Sequence, residues 1–355
     1  MRKNHYHKVI MRGILFFLML PGPFLSAQDK ELEAYLFVYF EGTGPGDKQE
    51  QIRFAVSEDA VNWEALNNNE PVLASSKISN TGGVRDPHIL RGSKSDGFYM
   101  VATDMYTRKN GWETNPGIVM LKSRDLINWS SSAIDLVKSY PQKFKNVKWV
   151  WAPQTIYDPK ADKYLVYFTV RFHDNPKLDF YSAYVNEDFS SFEEAPTLMF
   201  SAKDGAIDGD IVYKDGIYHL FYKGNTKDEN GKEIKNGIKQ AISKSLQGPW
   251  KESFKYLDSY AQSRTGVEGS SVFKLVDKDE YILMYDLYSS GRYEFQRSKD
   301  LFNFSVTTES FIKNFTPRHG SIIGITKKEI QRLNKKWSSK ESNKDFQPET
   351  VEKYR

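Results

Sequence analysis

No cysteine occurs in the 355 residues, which excludes disulfide bonds and a lipid attached through an N-terminal cysteine. The fold must therefore be held by its core alone. Charge of one sign is in little excess: the formal net charge is +4, and no block of Lys and Arg is long enough to mark a nucleic-acid partner. Long apolar runs are also scarce. The one strongly apolar stretch, Ile14 to Leu25, is interrupted by Pro21 and Pro23 and falls short of the roughly 20 residues that a membrane span needs. Arg2, Lys3, Lys8 and Arg12 precede it and Ser26-Ala27 follows, so residues 1–27 read as a signal peptide cut after Ala27. The expected mature protein is secreted or periplasmic, monomeric, and spans no membrane.

What the chain does have is aromatic side chains, 14% of residues with 21 Tyr and 23 Phe. Such residues suit half-buried strands and can also stack on sugar rings. They fall into a repeat. Ser57-Glu-Asp-Ala-Val-Asn-Trp63 returns as Ser123-Arg-Asp-Leu-Ile-Asn-Trp129, Asn186-Glu-Asp-Phe-Ser-Ser-Phe192, a looser copy from Ser243 to Trp250, and Ser298-Lys-Asp-Leu-Phe-Asn-Phe304, every 55 to 66 residues. Ahead of each copy lies an apolar strand: Tyr35–Phe40, Phe98–Ala102, Tyr164–Phe168, Tyr218–Tyr222 and Tyr281–Tyr285. Four of these follow another strand, beginning near Asp86, Trp151, Ile207 and Glu268. The first does not, and the missing strand stands at the other end of the repeats as Arg318–Ile325. This offset predicts an all-β, five-bladed β-propeller over residues 33–326, each blade four-stranded, closed by pairing of N- and C-terminal strands in one blade. Residues 327–355 read as a charged tail, with a short helix near Lys328 to Trp337 and disorder beyond it.

The innermost strand of each blade lines the channel, so residues at its start converge. Here they are Asp86, Trp151, Asp208, Glu268 and His319. Three acids in one partly dry pocket repel one another, and at least one is expected to keep its proton near neutrality. Glycosidic cleavage needs such a set: an acid to protonate the leaving oxygen and a carboxylate to handle water or the sugar carbon.

Val84-Arg-Asp-Pro-His-Ile89, Trp151-Ala-Pro153, Ala206-Ile-Asp208, Val267-Glu-Gly-Ser270 and Arg318-His-Gly320, in this order over residues 33 to 325, resemble the blade-start motifs of glycoside hydrolase family 43. The resemblance implies an inverting hydrolase of arabinose- or xylose-containing plant polysaccharides or oligosaccharides, an α-L-arabinofuranosidase or a β-D-xylosidase. It implies Asp86 as general base, Glu268 as general acid and Asp208 as the group that positions the acid and raises its pKa. Trp151 would wall the deepest sugar subsite, Arg85, Arg292 and His319 would be further substrate contacts, and His319 would stand beside a structural calcium ion reached directly or through water. No other cofactor is implied. The chain departs from the commoner pattern in carrying Glu-Gly-Ser where Glu-Gly-Pro or Glu-Ala-Pro is frequent. A fructan- or sucrose-cleaving propeller is an alternative, but its Asn-Asp-Pro and Glu-Cys motifs are missing here; a non-catalytic carbohydrate-binding propeller is another.

Overall fold

The computed structural model describes Met1 and residues 31–44, 46–93, 97–227, 233–253, 255–258, 266–307 and 311–337. The rest of the expected signal peptide and the tail after Trp337 lie outside the described residues. Among the described residues no helix is long and apolar enough to cross a membrane.

The chain forms five sheets, antiparallel but for one short edge strand, the blades of a β-propeller. In four of them the strands follow chain order from the innermost outward. The first blade runs Val84–Arg91, Phe98–Asp104, Gly117–Ser123 and Trp129–Asp135. The second runs Val147–Asp158, Lys163–Phe172, Asp179–Tyr184 and Thr197–Phe200. The third runs Ala206–Lys214, Ile217–Lys227, Glu233–Ser243 and Lys251–Glu252, and the fourth runs Glu268–Lys274, Tyr281–Leu287, Arg292–Ser298 and Ser305–Val306. In the fifth, Ser321–Ile325 pairs antiparallel with Ala34–Tyr39, which is followed outward by Arg53–Ser57 and Asn62–Ala65. That blade differs from the expected four strands: Ile312–Lys313 adds a short parallel strand on its outer edge.

The hydrophobic core lies between the blades. Five buried clusters fill the five interfaces, as with Leu36, Phe54, Met100 and Val119 between the fifth and first blades, or Phe180, Phe200, Leu220 and Tyr222 between the second and third. A strand with neighbours on both faces has no solvent side. Ala34–Tyr39, Phe98–Asp104 and Tyr281–Leu287 are accordingly buried at every residue.

The repeated turn owes its composition to one acid. Asp59 Oδ1 accepts the backbone N–H of Val61 and Asn62 at 2.8 and 2.7 Å, while its Oδ2 accepts the Asn62 side-chain amide. Asp125 with Asn128, and Asp300 with Asn303, repeat these bonds. The next residue (Ala60, Leu126, Leu301) takes a positive φ of 61 to 67°. The Trp63 and Trp129 indoles donate back to that residue's carbonyl at 3.1 Å.

Around the channel, neighbouring blades clasp one another through side chains. Ile89 N donates to Ser321 Oγ, Thr155 N to His88 Nδ1, and Val272 N to Asp210 Oδ2. Ile211 N donates to the Tyr167 hydroxyl, which itself donates to Gln154. Each donor occupies the corresponding place on its innermost strand, so four of the five interfaces are stitched at one level. This ring fixes the depth at which the strand starts meet.

Candidate active site

Each innermost strand of the first four blades is broken by a bulge just where the candidate residues lie. The register slips between Arg85 and His88, Trp151 and Gln154, Ile207 and Asp210, and Glu268 and Ser271. In each bulge one residue has a positive φ: Asp86 (51°), Ala152 (45°), Asp208 (55°) and Gly269 (63°). A bulge re-aims a side chain, and aspartate tolerates the left-handed region better than most residues. The expected register is thereby corrected. Asp86 and Asp208 occupy the left-handed position, whereas Trp151 and Glu268 stand one residue earlier. Gly269 is needed on two counts, its φ and a Cβ that would lie 3.0 Å from the His319 side chain. Gly320 admits no side chain at all, since a Cβ there would sit 2.1 Å from the Val38 carbonyl oxygen.

The structure brings Asp86, Asp208, Glu268 and His319 together. His319 Nδ1 is 3.5 Å from Asp86 Oδ1 and 3.8 Å from Asp208 Oδ1, ion-pair distances rather than hydrogen bonds. Burial by itself would lower the His319 pKa, but the two carboxylates outweigh it and lift it from 6.5 to about 9. Asp208 Oδ2 accepts the Gly269 N–H at 3.0 Å, which ties this acid to the backbone beside Glu268. The serine of Glu-Gly-Ser adds a bond that proline has no donor to make: Ser270 Oγ donates to the Asp208 carbonyl at 2.8 Å.

The three acids sit in different fields. Burial would raise Asp86, but His319, Arg85 and a 2.9 Å hydrogen bond from Thr103 hold its carboxyl below the usual value. Asp208 is pushed above it by burial and by the charges of Glu268 and Asp86, against His319 and Lys223. Glu268 is held low despite burial, because Lys223 Nζ donates to Oε2 at 3.1 Å and Arg318 Nη2 to Oε1 at 2.7 Å. Arg318 also donates from Nε to Asp286, whose carboxyl burial raises to about 6 against that partner.

Lys223, Arg318, Thr103 and Asp286 were not among the expected site residues. Three of them share a signal. On the second strand of the first four blades, the residue paired with the one before the bulge is Thr103, Thr169, Lys223 or Asp286. Each is the first polar residue after an apolar run, at the same spacing as the blades.

The remaining candidates divide. Trp151 adjoins the cluster through Ala152, whose N–H donates to Thr103 Oγ1 at 2.9 Å, the same hydroxyl that binds Asp86. Arg85 is committed to Glu50 at 2.7 Å and lies between the Phe40 and Trp112 rings. Arg292 is exposed at the start of the third strand of the fourth blade, bonded to Ser290. No described contact carries it to the acids, and the guanidinium at Glu268 is that of Arg318. As for calcium, His319 presents Nδ1 to two carboxylates, whose charge raises its pKa and favours a proton on that nitrogen over a metal. Among the described residues no group of three or more His, Asp or Glu is disposed to hold a metal ion. At Nδ1 His319 serves as counter-ion to the acids.

Carboxylates from three blades of a five-bladed propeller, gathered at one place, suit a glycoside hydrolase, and sequence comparison agrees. Residues 30–331 match the glycoside hydrolase family 43-related family, described as a "probable glycosyl hydrolase domain"; the chain belongs to this family. A curated relative, an α-L-arabinofuranosidase of Bifidobacterium longum subsp. longum, is 26% identical over 290 residues, which are 72% of this chain and 27% of that one. The chain thus spans about a quarter of that relative's length. Similar solved structures include an endo-1,4-β-xylanase from Bacteroides thetaiotaomicron, with TM-score 0.54, 18% identity, and 81% of this chain and 93% of that one covered. An endo-arabinase from the same organism has TM-score 0.52 and 15% identity, covering 83% and 94%. At these identities the likeness is one of fold.

Proposed function

We propose that this chain hydrolyses glycosidic bonds with inversion of configuration, acting on arabinose- or xylose-containing polysaccharides or oligosaccharides, as an α-L-arabinofuranosidase before a β-D-xylosidase. The observation that carries the reading is the meeting of Asp86, Asp208 and Glu268, from three blades, around His319. The arabinofuranosidase relative favours arabinose, and the family supplies the reaction type.

In this reading Asp86 is the base. His319 and Thr103 keep it ionised and oriented, ready to take a proton from the attacking water. Glu268 is the acid, and Asp208 and Glu268 act as a pair that carries one proton. In the free protein that proton favours Asp208, since Lys223 and Arg318 hold Glu268 ionised. A sugar that draws Lys223 onto its own hydroxyls, and expels water, moves the proton to Glu268 and so to the leaving oxygen. Inversion requires room for water between the Asp86 and Glu268 carboxyls, roughly 6.5–9.5 Å.

The test is Glu268→Gln and Asp86→Asn on aryl α-L-arabinofuranoside and β-D-xyloside, with the anomer of the first product followed by NMR. Each change is expected to lower kcat by at least about a hundredfold while sugar binding persists, and the wild type is expected to release the inverted anomer. A wild type that binds these sugars and cleaves neither would sink the reading in favour of a binding propeller.

A further inference from the structure

Outward from Trp151 the same strand carries Trp149, and the two indoles stack with centroids 4.1 Å apart and planes 13° from parallel. Trp112, on the loop after Phe98–Asp104, meets Trp151 edge-on at 6.0 Å and remains 52% exposed. This loop is built onto the strand. Asn115 N donates to the Lys148 carbonyl and Val150 N to the Asn115 carbonyl, both at 2.8 Å, and the Trp149 indole donates to the Trp112 carbonyl. The three indoles therefore form a preset wall running from the acids toward the rim.

One face of Trp149 is covered by Trp151, so the cations over Trp149 lie on the other. They are the Arg171 guanidinium at 4.4 Å and the Lys148 ammonium at 4.8 Å from the ring centroid. Among the described residues neither has a carboxylate partner, although Asp174, near Arg171 in sequence, is engaged by Asn146. Two buried N–H donors along the wall also have no acceptor, Arg171 Nε and Trp151 Nε1. A buried donor without an acceptor is destabilising, so such groups mark places that a ligand or a water completes.

The wall offers the half-exposed ring of Trp112 and, at its outer end, positive charge and the Arg171 Nε donor without an acceptor. A pyranose presents C–H groups to the first, and a carboxylate answers the second. We propose that Trp112, Trp149, Arg171 and Lys148 form a second sugar subsite, outside the one at Trp151, that takes a uronate unit of the substrate. This rests on the proposed hydrolase reading and names the substrate class within it.

The experiment compares two oligosaccharides of equal length, one neutral and one carrying a uronate, by calorimetric titration of the Glu268→Gln protein. The uronate ligand is expected to bind about tenfold more tightly at low salt, a preference that high salt screens. Arg171→Gln and Lys148→Gln, measured separately, are each expected to lower the uronate-to-neutral ratio of affinities. A ratio is unaffected by a general loss of folded protein. Equal affinity of the two ligands, or variants that weaken both alike, would overturn the subsite. Wild-type cleavage of aryl glycosides is read independently. If it fails while uronate preference persists, the hydrolase reading falls and the subsite stands.

Discussion

Glu268 meets a cation on each oxygen, Lys223 on one and Arg318 on the other. This is an unusual setting for a group meant to give up a proton near neutrality, because opposite charges so close hold a carboxyl below its usual pKa. Lys223 is the partner free to change, since Arg318 is anchored behind by Asp286. Lys223 also lies 5.0 Å from the centroid of Tyr288, a partly exposed ring. Lys223→Met is therefore expected to raise the Glu268 pKa and shift the alkaline limb of kcat/KM upward by roughly one pH unit. Lys223→Arg should keep the limb in place. A limb that stays put in Lys223→Met, with only KM altered, would mean that Lys223 contacts sugar without tuning the acid.

The turn between the second pair of strands shows how an element enforces itself. In the Ser123–Trp129 copy, Asp125 accepts two backbone N–H groups, one side-chain amide and the Ser123 hydroxyl. Asp125→Ala is expected to cost about 1–2 kcal/mol, read as a lower urea midpoint with unchanged slope. An unmoved midpoint would show that water replaces the carboxylate at no cost. The helix Lys327–Trp337 is defined as locally. Glu329 N donates to Thr326 Oγ1 and Thr326 N donates to Glu329 Oε2, a reciprocal cap that Thr-Lys-Lys-Glu spells out. Its place is set from outside, by Arg91 on Glu329 and by Trp337 against Phe54.

At the scale of the whole ring, His319 joins the fifth blade to the first through Asp86 and to the third through Asp208. Its pKa is raised in the folded state, from 6.5 to about 9. The stability it contributes is then complete below about pH 6.5 and disappears as pH climbs through about 9, amounting to about 3 kcal/mol for a shift of this size. Thermal unfolding of wild type and His319→Gln between pH 6 and pH 10 reads this directly. Their difference should be largest at the acid end and shrink toward pH 9. A difference that grows with pH would show that the imidazole is neutral in the ring.

What the sequence by itself determined is periodic: the turn acids, the apolar strands, the blade count and the three acids at strand starts. All of these depend on near neighbours in the chain or on a repeat that local chemistry makes visible. Even the second-strand positions of Thr103, Lys223 and Asp286 were written there, as polar ends to apolar runs. Only the tertiary structure decided which partner each group meets. In a bulge that four strands share, Glu268 stands one residue before the place of Asp86 and Asp208, and the pairing of Glu268 with Lys223 and Arg318 crosses blade boundaries. Charge acts through space and falls with distance, so protonation in this site is settled by contacts between residues tens or hundreds of positions apart, which no local pattern encodes.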